Sequence, residues 1–453
     1  MAAYVYAREI KDEEYLARVR RHTPSSLLPL IGQVGAQYWE PNSWLHGDYM
    51  KCTPWALADI ARVSLVSGNE HRRTAMRRDL LECGAAYSAH RDPELARQEA
   101  DSLVTFLLRT AFEQFGFNQS RYHDLLRTAA IFLQTTPLKE LKVIQPGWDE
   151  ELFGCTLSQY VGIGFIVHSV AVRQNGRFLE TWLDDPTLAP ITSEIPVSLI
   201  ANVIDANFTG DTQFYQQERP KFSASPFRRF TYSPLVGRPI VSGITDERLV
   251  PVPGLVDRKI SPLGVWHAGH ERWKQQFAIE VGELFEQYVG RHLALISDST
   301  LIPEITYDKD NKRSVDWIVV GENAVLLVEV KSARPTEPIR LGSKTVWDEL
   351  ATKFTKAYAQ IEKASQKIED NHSAFSEVPS HLPRIGLIVT MEPFPVVNLP
   401  VVRTRLNVSP SMPTCVCSSE ELELLVTMKD EPVDNFLLQF QTGARTYCGP
   451  TAD

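Results

Sequence analysis

Cysteine is scarce: six residues, Cys52, Cys83, Cys155, Cys415, Cys417 and Cys448, are spread through a chain of 453. Their number and spacing do not suit a disulfide framework, and they fit a reducing compartment. Long apolar runs are missing too. The most apolar stretch, Tyr160 to Val172, is interrupted by His168 and Ser169 and is too short to cross a bilayer, so it reads as a buried core helix at most. The start is charged by Arg8 and lacks the apolar h-region of a secretory signal. A cytoplasmic protein without a membrane partner is the expectation. Excess positive charge is also absent. Lys plus Arg number 47 against 56 for Asp plus Glu, a net charge of −9, so any nucleic-acid contact has to come from a local patch. Hydrophobic residues at 43% and charged residues at 23% belong to an ordinary folded chain, and the length suits two or three domains.

What is present divides into three textures. Residues 1–205 read as a mainly α-helical domain. Thr23-Pro24, Thr53-Pro54 and Asp92-Pro93 each pair a capping side chain with proline at the first helical position. After Pro93, Leu95, Leu103, Val104, Phe106, Leu107, Ala111 and Phe112 keep roughly helical spacing up to Gly116, and a further helix is expected from Ser120 to Gln134. No fixed repeat length links these helices, so a solenoid has no support. Residues 206–262 carry Pro220, Pro226, Pro234, Pro239, Pro251, Pro253 and Pro262 and read as a linker with short strands joining two domains. Residues 263–453 alternate elements. A helix from Glu271 to Leu295 precedes strands near Thr300–Tyr307, Ser314–Val320 and Ala324–Lys331; a long helix at Val346–Asp370 then leads to a strand at Arg384–Thr390. That is an α/β arrangement, with the long helix as crossover into a parallel strand.

The chemistry concentrates in one stretch. Two β-rich runs flank Gly321-Glu322-Asn323, a hairpin signature. On the second run Glu329 and Lys331 share a face, as residues two apart in a strand do, and Asp316 can join them from the neighbouring strand. An acid two residues before a lysine occurs at five places in the chain (Glu9, Glu140, Asp257, Asp310 and Glu329). Only Glu329 lies in a hydrophobic strand with an Asp on the preceding one. Burying such groups is costly unless they pair or bind a cation. A plain ion pair between Lys331 and one of the acids is the competing explanation.

This segment resembles the PD-(D/E)xK nuclease superfamily, in which an acid opens one strand and (D/E)-x-K lies on the next. Asp316, Glu329 and Lys331 match, with Val315 at the usual Pro position. The resemblance covers about residues 265–390 and implies a restriction-endonuclease-like domain, a mixed sheet flanked by helices, within 263–453. It also implies a further acid on the first core helix, where Glu286 in Gly282-Glu283-Leu284-Phe285-Glu286 is similar. By this resemblance Asp316 and Glu329 ligate Mg²⁺ or Mn²⁺, joined by the Val330 backbone carbonyl and by Glu286. Hard oxygen donors suit these cations, which activate a bound water and neutralise developing charge. Lys331 would orient the attacking water and stabilise the transition state.

The long helix adds a second signal. Trp347, Leu350, Phe354, Ala357, Ile361, Ala364 and Ile368 form a core stripe, while Lys353, Lys356, Gln360, Lys363 and Lys367 form a parallel polar one. The lysines are candidates for the substrate backbone; the bland alternative is a solvated helix face. Gln360 resembles the glutamine that many superfamily members send into the active site. Other features carry less weight. His267 and His270 lack a third ligand, Cys415 and Cys417 lack a matching pair, and Gly162-Ile163-Gly164 lacks a third glycine. Phe227-Arg228-Arg229-Phe230 interleaves aromatic and basic residues and could grip nucleic acid, though such clusters more often pack.

The expectation is a divalent-metal-dependent endonuclease, with DNA favoured over RNA (tRNA included) as substrate. The alternative is a non-catalytic nucleic-acid or protein binding module on the same scaffold. The extra helical residues suggest a sensor or regulatory region, a layout that resembles prokaryotic antiviral defence proteins. That resemblance implies a phage-derived protein or another trigger bound by residues 1–205; the oligomeric state is left open.

Overall fold

Prolines 24 and 54 open helices in the computed structural model, which describes residues 9–39, 51–90, 100–117, 121–221 and 227–441. The chain divides into two compact units, Met1–Leu133 with Val143–Lys274, and Gln134–Lys142 with Gln275–Asp453.

The first unit is mainly helical. Helices Pro24–Gln37 and Pro54–Ser67 begin after Thr23 and Thr53, and the Thr53 hydroxyl accepts from the Ala56 N–H at 3.4 Å. The third expected start, Asp92-Pro93, lies outside the described residues. A helix covers Ala100–Gln114, and another covers Arg121–Phe132. Leu27, Leu28, Ile31, Leu57, Ile60 and Val63 supply the core between Pro24–Gln37 and Pro54–Ser67. The apolar stretch around Tyr160 lies in a helix, Leu157–Arg173, whose start is a capping box between Thr156 and Gln159. Among the described residues no single helix is long and apolar enough to cross a membrane.

The Pro-rich stretch, expected to join two domains, is instead built into this first unit. It supplies β2 (Thr209–Gly210), β3 (Ile240–Val241) and β4 (Arg248–Leu249), which form a small sheet with β1 (Arg177–Phe178) in the order β1-β4-β3-β2. The reason is burial. Proline stops helices, but Ile240, Val241, Leu249 and Val250 between the prolines are all buried, and a linker cannot bury such residues. The Phe227-Arg228-Arg229-Phe230 cluster is also interior. Arg228, 3% exposed, is bound by Asp12 and Asp59, while Arg229 faces Glu113 and the rings of Tyr87 and Phe230. These arginines are structural ties.

In the second unit the helix Gln275 to Leu293 is the latter part of a broken helix, Pro262–Leu293, interrupted at Lys274 (φ 53°, ψ −133°). Five strands follow the order β11-β10-β9-β8-β5: β5 (Thr300–Pro303), β8 (Trp317–Val320), β9 (Val325–Lys331), β10 (Arg384–Thr390) and β11 (Thr414–Ser418). The first three are antiparallel, and β9, β10 and β11 are parallel. This is a mixed sheet flanked by helices. A separate hairpin joins β6 (Thr306–Tyr307) to β7 (Lys312–Arg313). The β8–β9 turn at Gly321-Glu322-Asn323 is held by Asp434, which accepts from the N–H groups of Asn323 and Ala324.

The two faces of the sheet carry different helices. Residues directly opposite on paired strands share a face, so Leu327, Glu329 and Lys331 lie with Gly386, Ile388 and Thr390. The long helix, Val346–Glu369, covers that face. At Gly386 a Cβ would come within 2.8 Å of Ile361 Cγ2, so only glycine fits beneath it. The helix from Gln275 covers the other face, where Gly290 rests against the Trp317 indole.

The remaining segment of this unit is the strap Gln134–Lys142, inserted in sequence between two stretches of the first unit. It lies along the helix that carries Glu286. Arg291 donates to the Gln134 carbonyl and the Thr135 hydroxyl, Lys139 pairs with Glu283, and the Lys142 N–H donates to buried Glu280 at 2.8 Å.

Candidate active site

The site forms where β8 ends before β9 does. Paired register stops at Trp317 opposite Val328, so the β9 backbone at Val330 has no strand partner on that side. The Asp316 carboxylate supplies one: its Oδ2 accepts from the Val330 N–H at 2.6 Å. The same geometry directs the Asp316 side chain to the face that carries Glu329, since continuing the register sets the two residues opposite each other. In an extended strand a residue's N–H and C=O point the same way, so the Val330 carbonyl also faces Asp316.

Glu329 is 1% exposed. Its Oε1 is engaged by Lys331 Nζ at 2.5 Å, and its Oε2 is buried with no hydrogen-bond partner. Glu286 approaches from the opposite face. Its backbone carbonyl accepts at 3.1 Å from Nε1 of Trp317, the residue that follows Asp316 in the chain.

Electrostatics bind these acids into one group. Burial pushes Glu329 up to about 7, with the Asp316 charge adding to the effect. Burial likewise raises Glu286 to about 7, helped by Asp316, Glu283 and Glu304. Asp316 is raised by burial against the opposing pull of the Val330 N–H and Lys331. Burial is the leading cause in all three, and the Asp316 charge makes Glu286 and Glu329 harder still to ionise.

The structure thus brings Asp316, Glu329, Lys331, Val330 and Glu286 to one strand end. Gln360 is on the helix that covers the Glu329 face; its Oε1 is buried without a partner. Lys353 is half-buried, and burial followed by the nearby Arg334 lowers its pKa. Lys356 and Lys363 are exposed. Lys367 is committed elsewhere, pairing with Asp308 at 3.4 Å and lying over the Tyr307 ring.

Sequence reasoning missed Glu283, Glu304, Lys139 and Arg313. Glu283 was recoverable, because it lies three residues before Glu286 on the same helix and so on the same side. Glu304, Arg313 and Lys139 gave no local signal. Among the described residues no three His, Cys, Asp or Glu side chains converge as they stand to hold a metal ion. Lys331 and the Val330 N–H occupy two of the oxygens that such an ion would take. Comparison with known proteins finds no matching family model, no similar curated protein and no similar solved structure.

Proposed function

We propose that the second unit is a divalent-metal-dependent nuclease of the PD-(D/E)xK type, hydrolysing nucleic-acid phosphodiester bonds. The observation that carries this reading is the Glu329 oxygen buried without a partner, on a strand register that sets Glu329 opposite Asp316. An orphaned carboxylate oxygen in a dry environment is costly, and a hard cation would relieve the cost. The donor set fits Mg²⁺ or Mn²⁺: Asp316, Glu329 and Glu286 as carboxylates, with the Val330 carbonyl on the same side. When bound, the cation supplies a water of lowered pKa and a counter-charge for the leaving oxygen.

The chain's own groups do the rest. Glu286 and Glu329, both raised by burial, would have to be ionised to hold the ion. Lys331 exchanges its hold on Glu329 Oε1 for the substrate, donating to the attacking water and to a phosphoryl oxygen as negative charge builds there. Lys353, Lys356 and Lys363 offer positive charge to the phosphate backbone. DNA is the favoured substrate and RNA the second. The first unit is read as a sensor whose trigger, a phage-derived protein in the defence reading, licenses cleavage.

The test incubates purified protein with plasmid, single-stranded DNA and total RNA in Mg²⁺ or Mn²⁺. Cleavage that disappears in Lys331→Ala and Asp316→Asn supports the reading; undiminished cleavage in either variant overturns it. A non-catalytic module would use the Lys331–Glu329 contact as a plain ion pair. Absence of Mn²⁺ uptake, with function intact in the metal-site variants, would select that alternative.

A further inference from the structure

The helix that carries Glu286 has two routes to the first unit. One is the chain at Lys274, where the first unit ends and the backbone leaves helical geometry (φ 53°, ψ −133°). A helix broken at that residue does not carry a displacement across as a rigid rod. The other route is the strap Gln134–Lys142, whose neighbours in sequence, Leu133 and Val143, both belong to the first unit.

The strap is fastened to the helix from its first residue to its last. Gln134 and Thr135 open it, and their oxygens accept from Arg291 Nη1 and Nη2 at 3.2 and 2.7 Å. Lys139, further along, is bidentate on Glu283 at 3.0 and 3.1 Å. Lys142 closes it: its N–H donates to Glu280 Oε1 at 2.8 Å, an oxygen that also accepts from Gln276 Nε2 at 2.7 Å. Glu280 is 2% exposed, so water offers no ready replacement for these bonds. Within the strap, Pro137 fixes one backbone dihedral and Leu141 is buried. The held positions, Glu280, Glu283 and Arg291, lie on both sides of Glu286 in the helix and span roughly 16 Å of it.

We infer that the strap is the route by which the first unit governs the proposed metal site. Displacing Leu133 or Val143 pulls on an anchor at the adjoining residue, and the anchors are on the helix that positions Glu286. Lys139 and Arg291 are therefore positioning residues: neither touches the ion, and both tie the Glu286 helix to chain that leads into the first unit. This inference rests on the metal-dependent reading above and adds the path of its regulation. Coupling between sites is reciprocal, so a cation bound at Glu286 must in turn steady the first unit beside the strap.

The experiment measures amide hydrogen exchange by mass spectrometry in the full-length chain, without Mn²⁺ and at saturating Mn²⁺, with uptake recorded by calorimetry. In wild type the ion should slow exchange about fivefold or more in the first-unit helices that flank the strap, Arg121–Phe132 and Trp148–Phe153. Lys139→Met combined with Arg291→Met, at its own saturating Mn²⁺, should lose that slowing. Lys139 is 63% exposed and Arg291 is also on the surface, so this pair leaves packing alone. A second variant inserts Gly-Gly-Ser after Leu133 and after Lys142, which keeps every side chain but slackens both ends, and it should lose the slowing too. No slowing in wild type that has bound Mn²⁺, or slowing that survives in either variant, overturns the inference. No Mn²⁺ uptake by wild type instead removes the metal-dependent reading itself, so the two failures are distinguishable.

Discussion

The Asp316 carboxylate completes the sheet: it accepts at 2.6 Å from the Val330 N–H, the backbone donor that β8 ends too early to satisfy. One side chain thus has a structural task and, in the proposed nuclease, a chemical one, and two substitutions separate them. Asp316→Asn keeps an acceptor and should unfold at the wild-type temperature while losing cleavage by on the order of 100-fold or more. Asp316→Ala should lose cleavage and also about 1–3 kcal/mol of stability, because a buried donor is orphaned. Chemical denaturation of both variants checks the difference.

Glu286 and Glu329, both pushed up to about 7, make the site pH-sensitive. Each binds its proton more tightly in the folded chain than in the unfolded one, where Glu titrates near ~4.3. Their contribution to stability is therefore full below that value and is lost as pH rises through about 7. Metal-free protein should melt lower at alkaline than at mildly acidic pH, and Glu329→Gln should flatten the slope. Mn²⁺ affinity should run the other way, rising over the same interval as the protons leave. An affinity independent of pH would contradict this.

Lys331 is 26% exposed, so its contact with Glu329 is partly open to water. Lys331→Met should abolish cleavage while leaving the fold intact, and Glu329 should then titrate higher still for want of its cation. Carboxyl chemical shifts followed through a pH titration would record the move.

Gly290 sets how closely the Glu286 helix approaches the sheet. A Cβ there would come within 2.3 Å of the Trp317 indole, so Gly290→Ala must push helix and strand apart. The expected cost is about 1–3 kcal/mol, with a fall in Mn²⁺ affinity as Glu286 withdraws.

In the first unit, Arg228→Ala would leave Asp12 and Asp59 buried without their shared guanidinium. A loss of about 3–5 kcal/mol is expected, measurable as a lower denaturation midpoint.

Much of the second unit was legible because its pattern is local. The apolar β-rich run around Glu329 and the stripe on the long helix announce a strand and the helix that covers it, and the crossover to β10 follows from their order. β11 was missed: Thr414–Ser418 is a short run read for its cysteines rather than its alternation. The 206–262 stretch was misread because proline density reports where helices stop and says nothing about what is buried between the stops. Asp316, Glu329 and Lys331 were visible as a conflict between charge and hydrophobic surroundings. Lys139 and Arg313 were not, since a surface cation has no signature until the fold brings its carboxylate to it.

The strap gives the chain three crossings between its units, at residues 133–134, 142–143 and 274–275. A protease that nicked the backbone beside Lys274 would release two fragments on a denaturing gel and yet not divide the native protein. The N-terminal piece would still carry Gln134–Lys142, with its grip on Glu280, Glu283 and Arg291. The second unit is for the same reason not obtainable by truncation at that point, because the shortened chain would lack a stretch that its own helix is built to hold.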